Sequence, residues 1–303
     1  MTRPTRLRHN AFVYSSTDEY VTRAVEFLRD GLAAGEGAIV AHTRPGLAVM
    51  REALDDDARH VTFVDVSASY TRPARTLAAY HAVYAQQLAR TPSLRAVADV
   101  QVGPDPREWD AWTGYEAVFN RSFAHLPAWV WCSYDANELP DRVLEGVWET
   151  HPEVVGASGC SASDHFTDPD GLLRGLLPDA APLPGLRSIG FGADVEAFRE
   201  RLARELAVAG VPAARVLEML LAASEVATNA IEHGGGIRDV RVGQVDGRFV
   251  CEIIDQGAGF DDPTAGYIAP RQGVGAGLWV ARQLTWDIEF LRAPSGFTAR
   301  IRL

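Results

Sequence analysis

Over the first 160 residues, short apolar runs alternate with segments whose apolar positions recur at helical spacing. AFVY (11–14), GAIVAH (37–42), VTFVDV (61–66), LRAVADV (94–100) and AWVWCSYD (128–135) read as strands. They are apolar nearly throughout, as strands buried on both faces are. Between them, Tyr20, Ala24, Phe27, Leu28 and Leu32 line one helix face before Gly35, and Pro45 suits the first turn of another helix. Further helical segments fall near 72–90, 105–121 and 140–150. This alternation predicts an α/β domain with a parallel sheet covered on both faces.

The texture changes in DPDGLLRGLLPDAAPLPGLRS (168–188), where proline and glycine recur too often for a helix and no strand alternation survives. It reads as a linker between residues 1–167 and 189–303. Beyond it, Val195, Phe198, Leu202 and Leu206 form one face of a helix that starts at Asp194 and ends at Gly210, and Pro212 opens a second helix running to about His233. Val240 and Val242, the Asp246-Gly247 turn and RFVCEIID predict a hairpin. A short helix (LWVARQL) and two strands, DIEFL and FTARIRL, close the chain. The order predicts an α+β sandwich with helices on one face of a largely antiparallel sheet.

Composition narrows the partners. The 303 residues carry 29 basic and 40 acidic side chains, a formal charge of −11. Such a surface repels phosphate backbones and anionic lipid, so direct nucleic-acid or membrane binding is not expected. Cys132, Cys160 and Cys251 are too far apart for a disulfide framework or a C-x-x-C metal knuckle, which suits a reducing cytoplasm. No apolar run reaches the roughly 18 residues of a membrane span.

Three short segments carry candidate chemistry. In LEMLLAASEVATNAIEHG, Leu217, Leu221, Glu225 and Asn229 stand four apart and so form one helix stripe, apolar at one end and polar at the other. If that stripe packs on the sheet, Glu225 and Asn229 lie at the core edge; if the helix is rotated, they are solvated. Asp255-Gln256-Gly257-Ala258-Gly259 follows a strand. An aspartate there can accept from an exocyclic amine while glycines let backbone approach a flat ring, although D-x-G also makes plain turns. Gly273, Gly275 and Gly277 open a helix whose N–H groups and dipole suit an anion, or serve as a hinge. No strand precedes them, so a dinucleotide fingerprint does not apply.

In order and spacing, the three boxes resemble the GHKL (Bergerat) ATP-binding fold, and SEVATNAIEHG resembles its version in bacterial anti-sigma-factor serine/threonine kinases. The resemblance covers 189–303. It implies ATP and Mg²⁺ as cofactors, with Asn229 as the metal ligand, Asp255 on the adenine amine, and Gly257 and Gly259 along the base. It places Gly273, Gly275 and Gly277 along the phosphates, Thr298 behind the adenine and Glu225 as general base. The implied partners are a STAS-type anti-sigma-factor antagonist as phosphate acceptor, a sigma factor, and a second copy of the chain as homodimer. The same residues also suit a module that binds ATP and sequesters its partner without catalysis. A sensor histidine kinase needs a phospho-accepting histidine on a helical hairpin; His151 comes nearest, but Pro152 follows it.

HNAFVYSSTDEYVTRAVEFLRDGLAAGEGAIVAHT and LPDRVLEGVWETHPEVV are similar to the MEDS sensory domain, over about 9–160. This implies a RecA-like parallel-sheet module; the chain contains no G-x-x-x-x-G-K-[ST] loop. His42, Asp65, Asp99 and Asp135 fall near strand ends, where open α/β sheets hold ligands and where polar residues also simply meet solvent. Trp109, Trp112, Trp129 and Trp131 serve either a flat-ligand pocket or the core.

Overall fold

The computed structural model describes residues 3–67, 70, 72–103, 105–156, 159–177, 183–270, 275–293 and 296–303. The backbone gathers into two compact units, the first built mainly from residues up to Leu173 and the second mainly from those after it. The first runs β1 (Arg8–Tyr14), α1 (Thr17–Ala33), β2 (Gly37–His42), α2 (Arg44–Leu54), β3 (Val61–Asp65), α3 (Pro73–Leu88), β4 (Leu94–Asp99), α4 (Pro106–Phe123), β5 (Ala128–Asp135) and α5 (Asp141–Thr150). A hairpin of β6 (Glu153–Gly156) and β7 (Gly159–Ala162) follows. Every strand and helix expected in this region forms, because the apolar runs have no polar face to offer solvent.

The sheet order is β3-β2-β4-β5-β1-β6-β7, with β1 to β6 parallel and β7 antiparallel on β6. The parallel expectation therefore needs one correction: a short antiparallel edge. EVVG and GCSA are too short and too mixed to signal strands by pattern. Ser16 caps α1 by accepting from Glu19 N–H, while Glu19 accepts from Ser15 N–H at 3.0 Å. Beneath α1, Arg95 and Glu36 form an ion pair 1% and 3% exposed, with Nε 3.0 Å from Oε2.

A second correction concerns 168–188. α6 (Pro169–Leu176) is helical there, because Asp168 accepts from Gly171 N–H at 3.0 Å and Pro169 falls in the first turn, where no N–H is needed. Arg187 and Ser188 form a two-residue strand, β8 (Arg187–Ser188), on the next sheet.

The second unit continues with α7 (Val195–Val208), α8 (Ala213–Glu232), β9 (Ile237–Val245), β10 (Arg248–Asp255), α9 (Ala276–Leu284), β11 (Asp287–Ala293) and β12 (Gly296–Arg302). Its sheet, β11-β12-β10-β9-β8, is antiparallel throughout. Asp246 (φ 52°) and Gly247 (φ 77°) both adopt left-handed backbone, the tight turn whose twist suits the β9–β10 hairpin. Phe198, Leu202 and Leu206 of α7 meet Met219, Ala222, Ala223, Val226 and Ala230 of α8 over Val240, Val242, Cys251, Ile253, Ala299 and Ile301. The small α8 residues let that helix lie close against the sheet. This core face excludes the stripe expected to carry it: Leu217 is 69% and Leu221 45% exposed. Glu225 and Asn229 consequently lie on the flank of α8, half-buried.

Candidate functional site

Asp255 ends β10 on the face that carries Cys251 and Ile253 toward the helices, and is 7% exposed. Oδ1 accepts from Gly257 N–H at 2.8 Å. Burial raises its pKa above the ordinary aspartate value, opposed by the backbone N–H groups of Gly257 and Phe297. Glycine backbone surrounds the carboxylate. A Cβ at Gly234 would stand 2.5 Å from Asp255 Oδ2, and one at Gly257 3.0 Å from Gly234 Cα. Gln256 N–H donates to Gly234 O at 3.1 Å, tying the segment after α8 to the one after β10. Gly259 (φ +67°) has the Phe297 ring where a side chain would project. Only glycine satisfies both demands there.

Two of the three glycines expected along the phosphates open α9. Gly275 is its N-cap in left-handed conformation (φ 80°), and Gly277 lies in the first turn. The Glu225 carboxylate from α8 occupies the space where a Gly277 side chain would go. A carboxylate from one helix thus meets the N-terminal end of another, where partial positive charge and free N–H groups gather. Asn229 follows one turn along the same flank of α8. Gly273 lies outside the described residues.

Thr298 does not join this group. β10 and β12 pair in regular register from Val250↔Arg302 to Asp255↔Phe297. With Ala299 and Ile301 on the helix side, alternation turns Phe297 toward Asp255 and Thr298 to the opposite face. Phe297, one residue earlier than expected, is the residue of β12 on the Asp255 side. Its ring centroid is 5.2 Å from that of Phe260. Gly234, which carries no expected role, closes the same H-G box as His233 and lies against the Asp255 carboxylate. His233 itself caps α8 and is exposed, consistent with a helix-ending role.

In the first unit, a cavity of about 710 Å³ opens at the carboxyl ends of the strands, lined by Tyr14, His42, Asp99, Asp135 and Trp109 among others. His42 Nδ1 stands 3.0 Å from Asp99 Oδ2, and Gln101 Nε2 donates to the same oxygen at 2.5 Å. Asp65 is not among its lining residues: it pairs with Arg44 at 2.7 Å, and that bond, with others from Ser67, holds its carboxyl down to about 2. Trp112, Trp129 and Trp131 are core residues at 6% exposure or less.

A strand-end aspartate walled by glycine backbone, beside a carboxylate at a glycine-opened helix start, defines a nucleotide-binding sandwich of the GHKL type. The donors and spaces suit ATP: an acceptor for an amine, side-chain-free backbone for a ring, and a helix N-terminus for phosphate. Residues 192–303 match the family described as histidine kinase-like ATPase domain. Residues 8–152 match MEDS, the MEthanogen/methylotroph, DcmR Sensory domain. The chain therefore joins an N-terminal MEDS sensory domain to a C-terminal histidine kinase-like ATPase domain. No curated protein matches it. A solved structure, the cytoplasmic domain of EssC, is similar over 61% of this chain at 17% identity and a TM-score of 0.29, and the chain spans 39% of that protein's length. Among the described residues no helix is long and apolar enough to cross a membrane.

Asp255→Asn separates binding from stability. Losing a charge-assisted acceptor is expected to weaken ATP binding roughly 10- to 100-fold. Because burial raises the folded-state pKa of Asp255, the fold favours its neutral form, and the ionised carboxylate at neutral pH costs stability. The nucleotide-free variant should therefore melt no lower than wild type at pH 7, and the difference should shrink as acid protonates wild-type Asp255. Titration calorimetry and differential scanning calorimetry check the two halves.

Proposed function

We propose that this chain is a cytoplasmic, ATP- and Mg²⁺-dependent serine/threonine kinase that phosphorylates a STAS-type anti-sigma-factor antagonist, binds a sigma factor, and answers to its MEDS domain. The observation that carries this reading is the Glu225 carboxylate seated against Gly277 at the start of α9. Asp255 accepts from the adenine amine, and the Gly234 and Gly257 backbones admit the ring beside it. The first-turn N–H groups of α9 attract phosphate oxygens. Glu225 takes the proton of an incoming hydroxyl on a carboxylate oxygen. Asn229 is the residue that would hold Mg²⁺, which neutralises phosphate charge when bound.

The histidine-kinase alternative loses its best acceptor: His151 is 0% exposed and its Nδ1 is engaged by the Val147 carbonyl at 2.9 Å. The test is to incubate the 303-residue chain with ATP, Mg²⁺ and a STAS-type antagonist, then locate phosphate by mass spectrometry. Phosphoserine or phosphothreonine on the antagonist is expected. Bound nucleotide without transfer favours the sequestering module, and phosphohistidine on the chain itself contradicts the proposal outright.

A further inference from the structure

Four side chains from separate elements of the N-terminal unit converge on one buried point: His9 on β1, Glu116 on α4, Cys132 on β5, and His151 directly after α5. Each is at most 4% exposed, and one donor atom from each lies within 4.8 Å of all the others. His9 Nε2 stands 3.2 Å from Cys132 Sγ and 3.4 Å from Glu116 Oε2. Glu116 Oε2 is 3.8 Å from His151 Nε2 and 3.9 Å from Cys132 Sγ. Tetrahedral bonds of about 2.0–2.3 Å set donor atoms roughly 3.3–3.8 Å apart, close to these spacings.

Hydrogen bonding around the cluster fixes which way the lone pairs point. Asn120 Nδ2 donates to Thr150 O at 2.6 Å and to Glu116 O at 3.2 Å. Its Oδ1 is therefore left to accept, and His9 Nδ1, 3.0 Å away, is the donor. His151 Nδ1 lies 2.9 Å from the Val147 carbonyl oxygen, which can only accept. Both rings thus carry their proton on Nδ1 and direct an Nε2 lone pair inward, the orientation that outer-shell partners impose on metal-binding histidines. His151 Nε2 has no hydrogen-bond partner among the described residues. A proton on Glu116 can bridge to His9 but leaves His151 Nε2 facing the cluster unfilled.

We propose that His9, Glu116, Cys132 and His151 bind one divalent transition-metal ion of the borderline class, such as Zn²⁺, through two imidazole nitrogens, one carboxylate oxygen and one thiolate. That donor set mixes the soft and harder ligands such ions accept together. Binding releases the Cys132 thiol proton, and the Glu116 proton where it holds one, to solvent, and the sulfur lone pair forms the fourth bond. Thiolate and carboxylate balance the two positive charges, so the ion enters the core without net charge. Glu116 also walls a small cavity with Trp112 and Tyr134, and that cavity shares Val100, Val102 and Trp109 with the large one at the strand ends. The ion accordingly lies one carboxylate away from the space open to a small molecule.

The test uses the 303-residue chain purified without a polyhistidine tag, stripped with chelator and titrated with Co²⁺. One equivalent should bind and produce a thiolate-to-cobalt charge-transfer band, and Zn²⁺ should abolish that band by displacement. Cys132→Ser should lose the band, His151→Ala should weaken binding at least tenfold, and Cys160→Ser should alter neither. Since substitutions in a core can unfold it, X-ray absorption on zinc-loaded wild type gives an independent reading, with one sulfur and three nitrogen or oxygen neighbours expected. Less than a tenth of an equivalent bound by wild type, a sulfur-free shell, or a band that survives Cys132→Ser overturns the assignment.

Discussion

Glu225→Ala is expected to reduce phosphate transfer to a protein hydroxyl by about 10²–10⁴-fold, the usual worth of a positioned general base, while ATP stays bound. The two halves have one cause. The carboxylate lies against the first turn of α9, where the proposed mechanism has it take a proton from a hydroxyl. In the same position it repels phosphate charge, so its removal should leave nucleotide affinity unchanged or slightly tighter. Glu225→Gln keeps the volume and should fail equally in transfer, which separates proton abstraction from packing. Initial rates of transfer, with calorimetric affinities measured in parallel, decide it. An undiminished rate in either variant removes Glu225 from the chemistry.

Glu36→Ala should destabilise the N-terminal unit by about 3–5 kcal/mol, the cost of leaving a buried charge without its partner. Arg95 is 1% exposed; its Nε meets Glu36 and its Nη1 donates to Phe27 O at 3.0 Å. The guanidinium also lies 5.0 Å from both the Phe27 and Trp129 rings. The space it fills exists because residue 31 is glycine: a Cβ there would stand 2.8 Å from Arg95 Cδ. With Glu36 gone, one backbone carbonyl and two ring faces remain for the charge among the described residues. Replacing both residues with methionine should recover most of the loss, because the penalty belongs to the orphaned charge and not to the absent pair. Urea unfolding of the three variants measures this. A single substitution costing under about 1 kcal/mol is incompatible with the buried-pair account.

The features legible in the sequence were those written locally. Strands such as AWVWCSYD are apolar on both faces, and the Asp246-Gly247 turn requires left-handed backbone at both positions, so each announces itself without a partner. The nucleotide boxes are local too: aspartate at a strand end, glycines beside it, glycines opening a helix. Features that depend on rotation or parity were not legible. The 217-221-225-229 stripe has correct helical spacing, yet the helix turns its alanines to the sheet because they permit closer approach. Thr298 and Phe297 differ by one residue, and in a strand one residue is the whole difference between faces. The helix at 169–176 was hidden because its proline falls in the first turn, the one place a helix tolerates it. Least visible of all was the cluster of His9, Glu116, Cys132 and His151. Its members lie up to 142 positions apart (9 to 151), and only the parallel sheet order brings β1 beside β5.

The most direct measurement is calorimetric titration of the 303-residue chain with ATP in the presence of Mg²⁺. A single saturable site per chain, displaced by ADP, is the predicted outcome, since one Asp255 cradle and one α9 start exist to receive it. Absence of heat and of saturation at millimolar nucleotide would contradict the nucleotide site, and with it the kinase assignment.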